Sequence, residues 1–227
     1  MKQTLIFLHG GPGYSDYLNI FFNKQFPEHH SIFYTQSRTD STSFTDLINE
    51  LDDIVSKSQN VWLCGHSWGG AFALEYLRLH GSKIKGFILI SSFISYSKLQ
   101  RYFLTELNVR GIKHYSSEDL FFTVAERQVS KRLQSILADF NKDFCNRINS
   151  EFLERFDGEF TFKNLKIPIL NIFGSLDLRV PAMLAREIRL INPAVKDIEI
   201  QSAGHFPFLL KENRKVVVEE ITNFLNR

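Results

Sequence analysis

Short apolar runs of strand type alternate along this chain with longer stretches whose apolar positions recur at helical spacing. The runs at residues 5–8, 31–35, 61–64, 87–90, 169–173 and 197–201 predict strands. Helices are expected over roughly 14–26, 44–56, 70–80, 181–190 and 213–226. In the last of these, Val216, Val217, Ile221, Phe224 and Leu225 fall on one helical stripe, which predicts a helix packed on a sheet. Apolar strands alternating with helices call for a mostly parallel sheet covered on both faces.

One region interrupts the alternation. From about 92 to 166 the pattern is helical, with no clear strand. Leu133, Ile136, Leu137 and Phe140 have amphipathic helix spacing, and Phe121, Phe122 and Val124 are also apolar. This is read as a helical insertion, 92–166, between two parts of one core, 1–91 and 167–227. No repeat, low-complexity segment or Gly/Ser linker is present.

The chain of 227 residues is long enough for one large core. A net charge of +2 gives no bulk electrostatic case for a nucleic-acid partner. Two cysteines, Cys64 and Cys145, do not form a disulfide framework, and Cys64 is expected as a small buried apolar residue. The N-terminal apolar run lacks the length and small-residue site of a signal peptide, and no run reaches membrane-spanning length. The expectation is a cytoplasmic protein acting on a small-molecule substrate, with no membrane partner.

The chemistry centres on Gly65-His66-Ser67-Trp68-Gly69, a G-x-S-x-G pattern followed by Gly70. By chance alone such a pattern occurs in roughly one chain in ten of this length. The apolar run before it and the helical run after it give it meaning. A serine on a tight strand-to-helix turn, with glycine two residues away on each side, forms a nucleophile elbow. A serine hydroxyl needs a base, and His205, in the loop after the last expected strand, is the candidate. His205 in turn needs a carboxylate, and Asp177, in the loop after another strand, supplies it. Asp157 and Asp197 are weaker rivals, since one precedes a strand and the other begins one. The oxyanion donors are expected at the backbone N–H of Trp68 and of Gly11, with Gly10 next. Gly10, Gly11 and Gly13 belong to the loop His9-Gly10-Gly11-Pro12-Gly13, where His9 is expected to orient the backbone. His66 is expected to pack near the site. No metal site is indicated, because His29, His30 and His114 lack partners at ligand spacing. No cofactor is indicated either, since neither glycine-rich stretch continues as a phosphate loop.

These four pieces, His9 to Gly13, Gly65 to Gly70, Gly174 to Pro181 with Asp177, and Gly204-His205-Phe206-Pro207, occur in an order that resembles the α/β-hydrolase superfamily over nearly the whole chain. The His-Gly-Gly-Pro-Gly loop and Ser67-Trp68-Gly69-Gly70 look like the proline iminopeptidase and esterase group. The resemblance implies an α/β-hydrolase fold in which 92–166 is a small helical cap. Family members ordinarily carry two further strands before the His-Gly loop, so a smaller sheet of about six strands is expected here. Where iminopeptidases carry Asp-Gln-Arg-Gly, this chain reads Tyr34-Thr35-Gln36-Ser37-Arg38-Thr39-Asp40, which retains only Gln36 and Arg38. Iminopeptidases hold the substrate amine with acidic cap residues, for which the candidates are Glu106, Glu118, Asp119 and Glu126.

The expected function is a serine hydrolase cleaving a small ester, thioester or amide through an acyl-enzyme. The alternatives are a proline iminopeptidase-type aminopeptidase, a lyase or carbon–carbon hydrolase, and a ligand-binding homologue without turnover. Phe93, Phe103, Phe121 and Phe122 either line an apolar acyl or aryl pocket or join the insertion's own core.

Overall fold

The computed structural model describes residues 2–129 and 131–226; the side chains of Ser82, Ser117, Val129, Arg132, Ser135 and Ile136 lie outside the described part. Six parallel strands form one sheet in the order β2-β1-β3-β4-β5-β6. They are β1 (Thr4–Leu8), β2 (His30–Tyr34), β3 (Val61–His66), β4 (Ile84–Ile90), β5 (Ile169–Gly174) and β6 (Val195–Ile200). The inner strands β1, β3 and β5 are buried at every position, as burial on both faces requires. The edge strands β2 and β6 are half-buried along most of their length.

Helices α1 (Leu18–Phe22) and α11 (Lys211–Leu225) cover one face; α2 (Phe44–Ser56), α3 (Trp68–His80) and α10 (Ala182–Ile191) cover the other. Side chains of a strand alternate between faces. Accordingly Ile6 and Leu8 join the layer of α2, α3 and α10, whereas Leu5 and Phe7 join that of α1 and α11. Helix α2 shows how local sequence sets an element. Ser43 and Asp46 form a capping box at its start, and Leu47, Ile48, Leu51 and Val55 form its buried stripe. Each such aliphatic side chain contributes roughly 1.5–3 kcal/mol by leaving water.

Between β4 and β5 the chain is helical, with α4 (Tyr96–Val109), α5 (Ser117–Phe121), α6 (Val124–Val129), α7 (Lys131–Leu137), α8 (Lys142–Glu151) and α9 (Glu159–Asn164). No strand occurs there among the described residues; one isolated bridge joins Ser95 and Asp157.

The first helix departs from expectation. The pattern over 14–26 predicts three turns, but α1 holds five residues. The Asp16 carboxylate accepts from the Leu18 N–H (2.9 Å) and starts the helix late. Upstream of it, Tyr14 and Tyr17 line a cavity at the end of the sheet. No described helix is long and apolar enough to cross a membrane.

Candidate active site

The sheet order reverses direction between β1 and β3, since β2 lies on one side of β1 and β3 on the other. Loops at the carboxyl ends of strands flanking such a point open a crevice. The loop 9–13 leaves β1, and Ser67 follows β3 directly, so both meet there.

Ser67 stands between β3 and α3 with φ 53° and ψ −123°, a backbone conformation that L-residues rarely adopt. Its N–H donates to the Ile90 carbonyl (2.9 Å), and its own carbonyl accepts from the Ser92 hydroxyl (2.7 Å). The turn also needs Gly65. A Cβ there would lie 2.5 Å from the Gly69 carbonyl oxygen and from backbone atoms of Gly70, none of which is the end of a flexible side chain.

His205 lies between Ser67 and Asp177. Its Nε2 is 3.0 Å from Ser67 Oγ, and its Nδ1 is 2.9 Å from Asp177 Oδ2. Asp177 can only accept, so Nδ1–H donates to it and Nε2 is left to accept from the serine. The second oxygen of Asp177 accepts from the N–H groups of Arg179 and Val180, each at 2.8 Å. Both His205 and Asp177 are buried. The rivals lie elsewhere: Asp197 accepts from Asn171 (2.9 Å), and Asp157 caps the turn at Glu159.

His66 is buried and belongs to a different chain of hydrogen bonds. Its Nε2–H donates to the His205 carbonyl (2.8 Å), and its Nδ1 accepts from the Tyr17 hydroxyl (2.5 Å). The Tyr17 oxygen accepts in turn from the Gly10 N–H (2.8 Å). Burial, with His205 beside it, holds the His66 imidazole well below the usual range, so it stays neutral. This chain ties the loop after β1 to the backbone of the histidine loop.

It also separates the two candidate oxyanion donors. The Gly10 N–H is engaged by Tyr17. The Gly11 N–H has no acceptor among the described residues, and Trp68 N–H is at the first position of α3, where an intrahelical acceptor cannot exist. Gly11 and Trp68 both line the cavity. Gly11 and Gly13 take φ of +64° and +97°, which glycine tolerates. His9 donates through Nδ1 to the Gly10 carbonyl (3.1 Å), and burial lowers its pKa to about 4. Arg38 braces the same loop, donating to the Gly13 carbonyl (3.1 Å) while paired with Asp139 (3.0 Å).

The cavity in front of Ser67 has a volume of about 160 Å³. Its walls come from the sheet loops and from the helical segment, through Phe93, Leu99, Phe121, Leu137, Phe140 and Leu153. Of the four phenylalanines singled out in the sequence, Phe93 and Phe121 line the cavity, and Phe122 packs on Phe206. Phe103 instead lies under the Arg179 guanidinium. None of Glu106, Glu118, Asp119 and Glu126 lines the cavity. Glu106 pairs with Arg110 and Asp119 with Arg127, whereas Glu126 is buried against the histidine loop. No group of three or more His, Cys, Asp and Glu side chains gathers as metal ligands among the described residues.

Two neighbours of the site were not foreseen, Tyr17 and Arg179, and Glu126, considered as a partner for a substrate amine, instead holds the histidine loop. Glu126 has a local signature, since Thr123 and Glu126 have capping-box spacing. Tyr17 and Arg179 have none. Chemically, the array can carry the Ser67 proton to His205 as the serine oxygen attacks an electrophilic carbon.

Residues 5–220 match the sequence profile of the alpha/beta hydrolase family. A proline iminopeptidase of Chitinophaga pinensis is 30% identical over 117 residues, covering 44% of this chain and 39% of that protein. A pimeloyl-[acyl-carrier protein] methyl ester esterase of Yersinia pseudotuberculosis is 24% identical over 68% of this chain and 66% of that protein. The chain therefore spans less than two thirds of the length of either relative. Among solved structures, an esterase from Exiguobacterium antarcticum superposes with a TM-score of 0.74 at 17% identity, over 99% of this chain and 92% of that one.

Proposed function

The chain belongs to the alpha/beta hydrolase family, and on that premise we propose that it is a serine hydrolase cleaving a small ester, thioester or amide, with Ser67, His205 and Asp177 as its catalytic triad. The observation that carries this reading is the pair of hydrogen bonds from one imidazole, 3.0 Å to Ser67 Oγ and 2.9 Å to Asp177 Oδ2.

In the first half-reaction Ser67 Oγ bonds to the substrate carbonyl carbon while His205 Nε2 takes the hydroxyl proton. The carbonyl π electrons move onto oxygen, and the N–H groups of Gly11 and Trp68 stabilise that charge. The bond to the leaving group then breaks, His205 returns the proton to it, and an acyl-serine remains. Water, deprotonated by His205, attacks the acyl-serine; the bond from the acyl carbon to Ser67 Oγ breaks, His205 returns the proton to Oγ, and the acid leaves. Asp177 holds the imidazole tautomer and offsets the imidazolium charge; its own contacts with the Arg179 and Val180 N–H groups fix its orientation. His9, Gly10 and Gly13 support the loop that carries Gly11. Residues 92–166 act as a cap, and their phenylalanine and leucine side chains close the acyl pocket.

The aminopeptidase alternative has less support. An N-terminal ammonium needs an acidic partner, and no Asp or Glu lines the described cavity. A carbon–carbon hydrolase or lyase would use the same triad on a different bond, and a ligand-binding homologue would leave Ser67 unreactive.

The test uses a fluorophosphonate probe with the hydrolysis of short p-nitrophenyl esters and a prolyl arylamide. Labelling at Ser67 and ester turnover that Ser67→Ala abolishes are expected. An unlabelled serine, or turnover unchanged in that variant, removes this mechanism.

A further inference from the structure

The cavity in front of Ser67 is mostly apolar, yet among the described residues one formally charged side chain lines it, Arg179. Its backbone N–H is held by Asp177 at 2.8 Å. The backbone of Arg179 is thereby fixed two residues from the carboxylate that pairs with His205. Its Cζ lies 5.9 Å from the centre of the Phe103 ring, a cation–π contact supplied by the helical segment. No carboxylate lies within ion-pair distance of it among the described residues; Asp177 is engaged with His205 and Asp139 with Arg38. Its field reaches Tyr14 and Cys145, both cavity residues, and opposes the rise in pKa that burial gives each.

Two lining residues carry a buried polar atom without a partner among the described residues. Asn149 Oδ1 and Trp68 Nε1 are buried without a hydrogen bond, and both residues belong to the lining. A half-buried cation is costly unless something accepts from it. The guanidinium fork matches a planar carboxylate with two parallel hydrogen bonds. The volume of about 160 Å³ is close to that of an apolar cavity known to take one benzene ring, about 150 Å³. A short spacer and one small anionic group fit that space.

Resting on the serine-hydrolase reading above, we propose that the substrate is a small ester or amide carrying a carboxylate, such as a half-ester of a short dicarboxylic acid, and that Arg179 binds that carboxylate while Ser67 attacks the other end.

The experiment compares p-nitrophenyl hydrogen glutarate with p-nitrophenyl pentanoate, a neutral ester of similar length, in the full chain and in Arg179→Met and Arg179→Lys. The wild type should favour the anionic ester in kcat/KM by about tenfold or more, as expected of a charge-assisted bidentate contact. The preference should fall to about one in Arg179→Met and be partly kept in Arg179→Lys. Equal use of both esters by the wild type overturns the proposal and leaves the serine mechanism standing. So does a preference that survives in Arg179→Met. Fluorophosphonate labelling of each variant shows that the site is still folded. Glutarate binding, measured by calorimetry, needs no turnover. If neither ester is cleaved and Ser67 is not labelled, the hydrolase reading fails. Glutarate then decides separately: binding to the wild type that Arg179→Met loses supports the anion site, and no binding removes it.

Discussion

Glu126 Oε1 accepts a 3.0 Å hydrogen bond from the Gly204 N–H, 78 positions away in sequence. Its other oxygen accepts from the Thr123 N–H (2.8 Å), closing a capping box with the Thr123 hydroxyl. The next N–H of the same loop, that of His205, donates to the Phe121 carbonyl (3.2 Å). Two successive backbone donors beside the imidazole are thus held by the helical segment. Truncating the carboxylate in Glu126→Ala should leave the Gly204 N–H unpaired and loosen His205. Leaving a buried donor unsatisfied costs about 1–3 kcal/mol, so kcat/KM for p-nitrophenyl acetate should drop about fivefold to a hundredfold. Glu126→Gln keeps an acceptor and should recover most of the rate. Wild-type kinetics in the alanine variant would show that the loop is held without this contact.

Under the proposed mechanism Ser67 sets stability against reactivity. Its φ of 53° strains a residue with a Cβ, at a cost on the order of 1–3 kcal/mol. Ser67→Ala removes the hydroxyl and keeps the strain, whereas Ser67→Gly relieves it. Both should be inactive, and the glycine variant should be the more stable by about 1 kcal/mol after its greater chain entropy is counted. Urea midpoints decide this, and an alanine variant as stable as the glycine one would argue against strain at the turn.

The elbow glycine is the mirror case. A methyl group at Gly65 would meet main-chain atoms of Gly69 and Gly70 at 2.5 Å. Gly65→Ala should cost about 1–3 kcal/mol through overpacking and displace Ser67 enough to stop fluorophosphonate labelling. Gly81, where a Cβ would meet nothing within 4 Å and the backbone is right-handed helical, is the control. Gly81→Ala should be neutral or stabilising by up to about 1 kcal/mol.

Acid should destabilise the fold through the histidines beneath the site. Burial lowers His9 to about 4, and its Nε2 has no partner to receive a proton. His66 is shifted in the same direction. A histidine pKa depressed on folding contributes stability that is complete above the unfolded value near 6.5 and is lost as pH falls through the folded value. For His9 alone, lowering the pH from 7 to 5 should remove about 2 kcal/mol. His9→Gln should flatten the dependence of the urea midpoint over this range. An unchanged pH slope in that variant would mean that His9 is not the group responsible.

Much of the fold could be read from the chain. All six expected strands occur, with ends shifted by a few residues, because strands buried on both faces are written as uninterrupted apolar runs. Ser67, Asp177 and His205 were each recognisable from the loop or turn that carries them, and the structure brings their side chains within hydrogen-bonding distance. Helix α1 was overestimated because its apolar spacing continues into residues that serve the site. Tyr17 reads as one more core position, yet its hydroxyl links Gly10 to His66. Between the two candidate donors on the glycine loop, the bond to Tyr17 made the difference. That bond spans seven positions and has no periodicity to betray it.

Local chemistry along the chain was sufficient for the layer architecture, the serine turn and the order of the three residues that meet in hydrogen bonds. Each depends on neighbours a few residues apart: glycines about a tight turn, apolar runs on a strand, a capping pair before a helix. The size of the cavity, the lack of acidic side chains lining it and of an ion-pair partner for Arg179 among the described residues, and the grip of Glu126 on the histidine loop came from packing. They depend on how helices between β4 and β5 settle over the ends of β1, β3 and β5, contacts between residues far apart in the chain. Ion pairing and burial are properties of that assembled neighbourhood. An arginine in a turn reads the same in sequence whether its charge meets a carboxylate, water or an empty pocket.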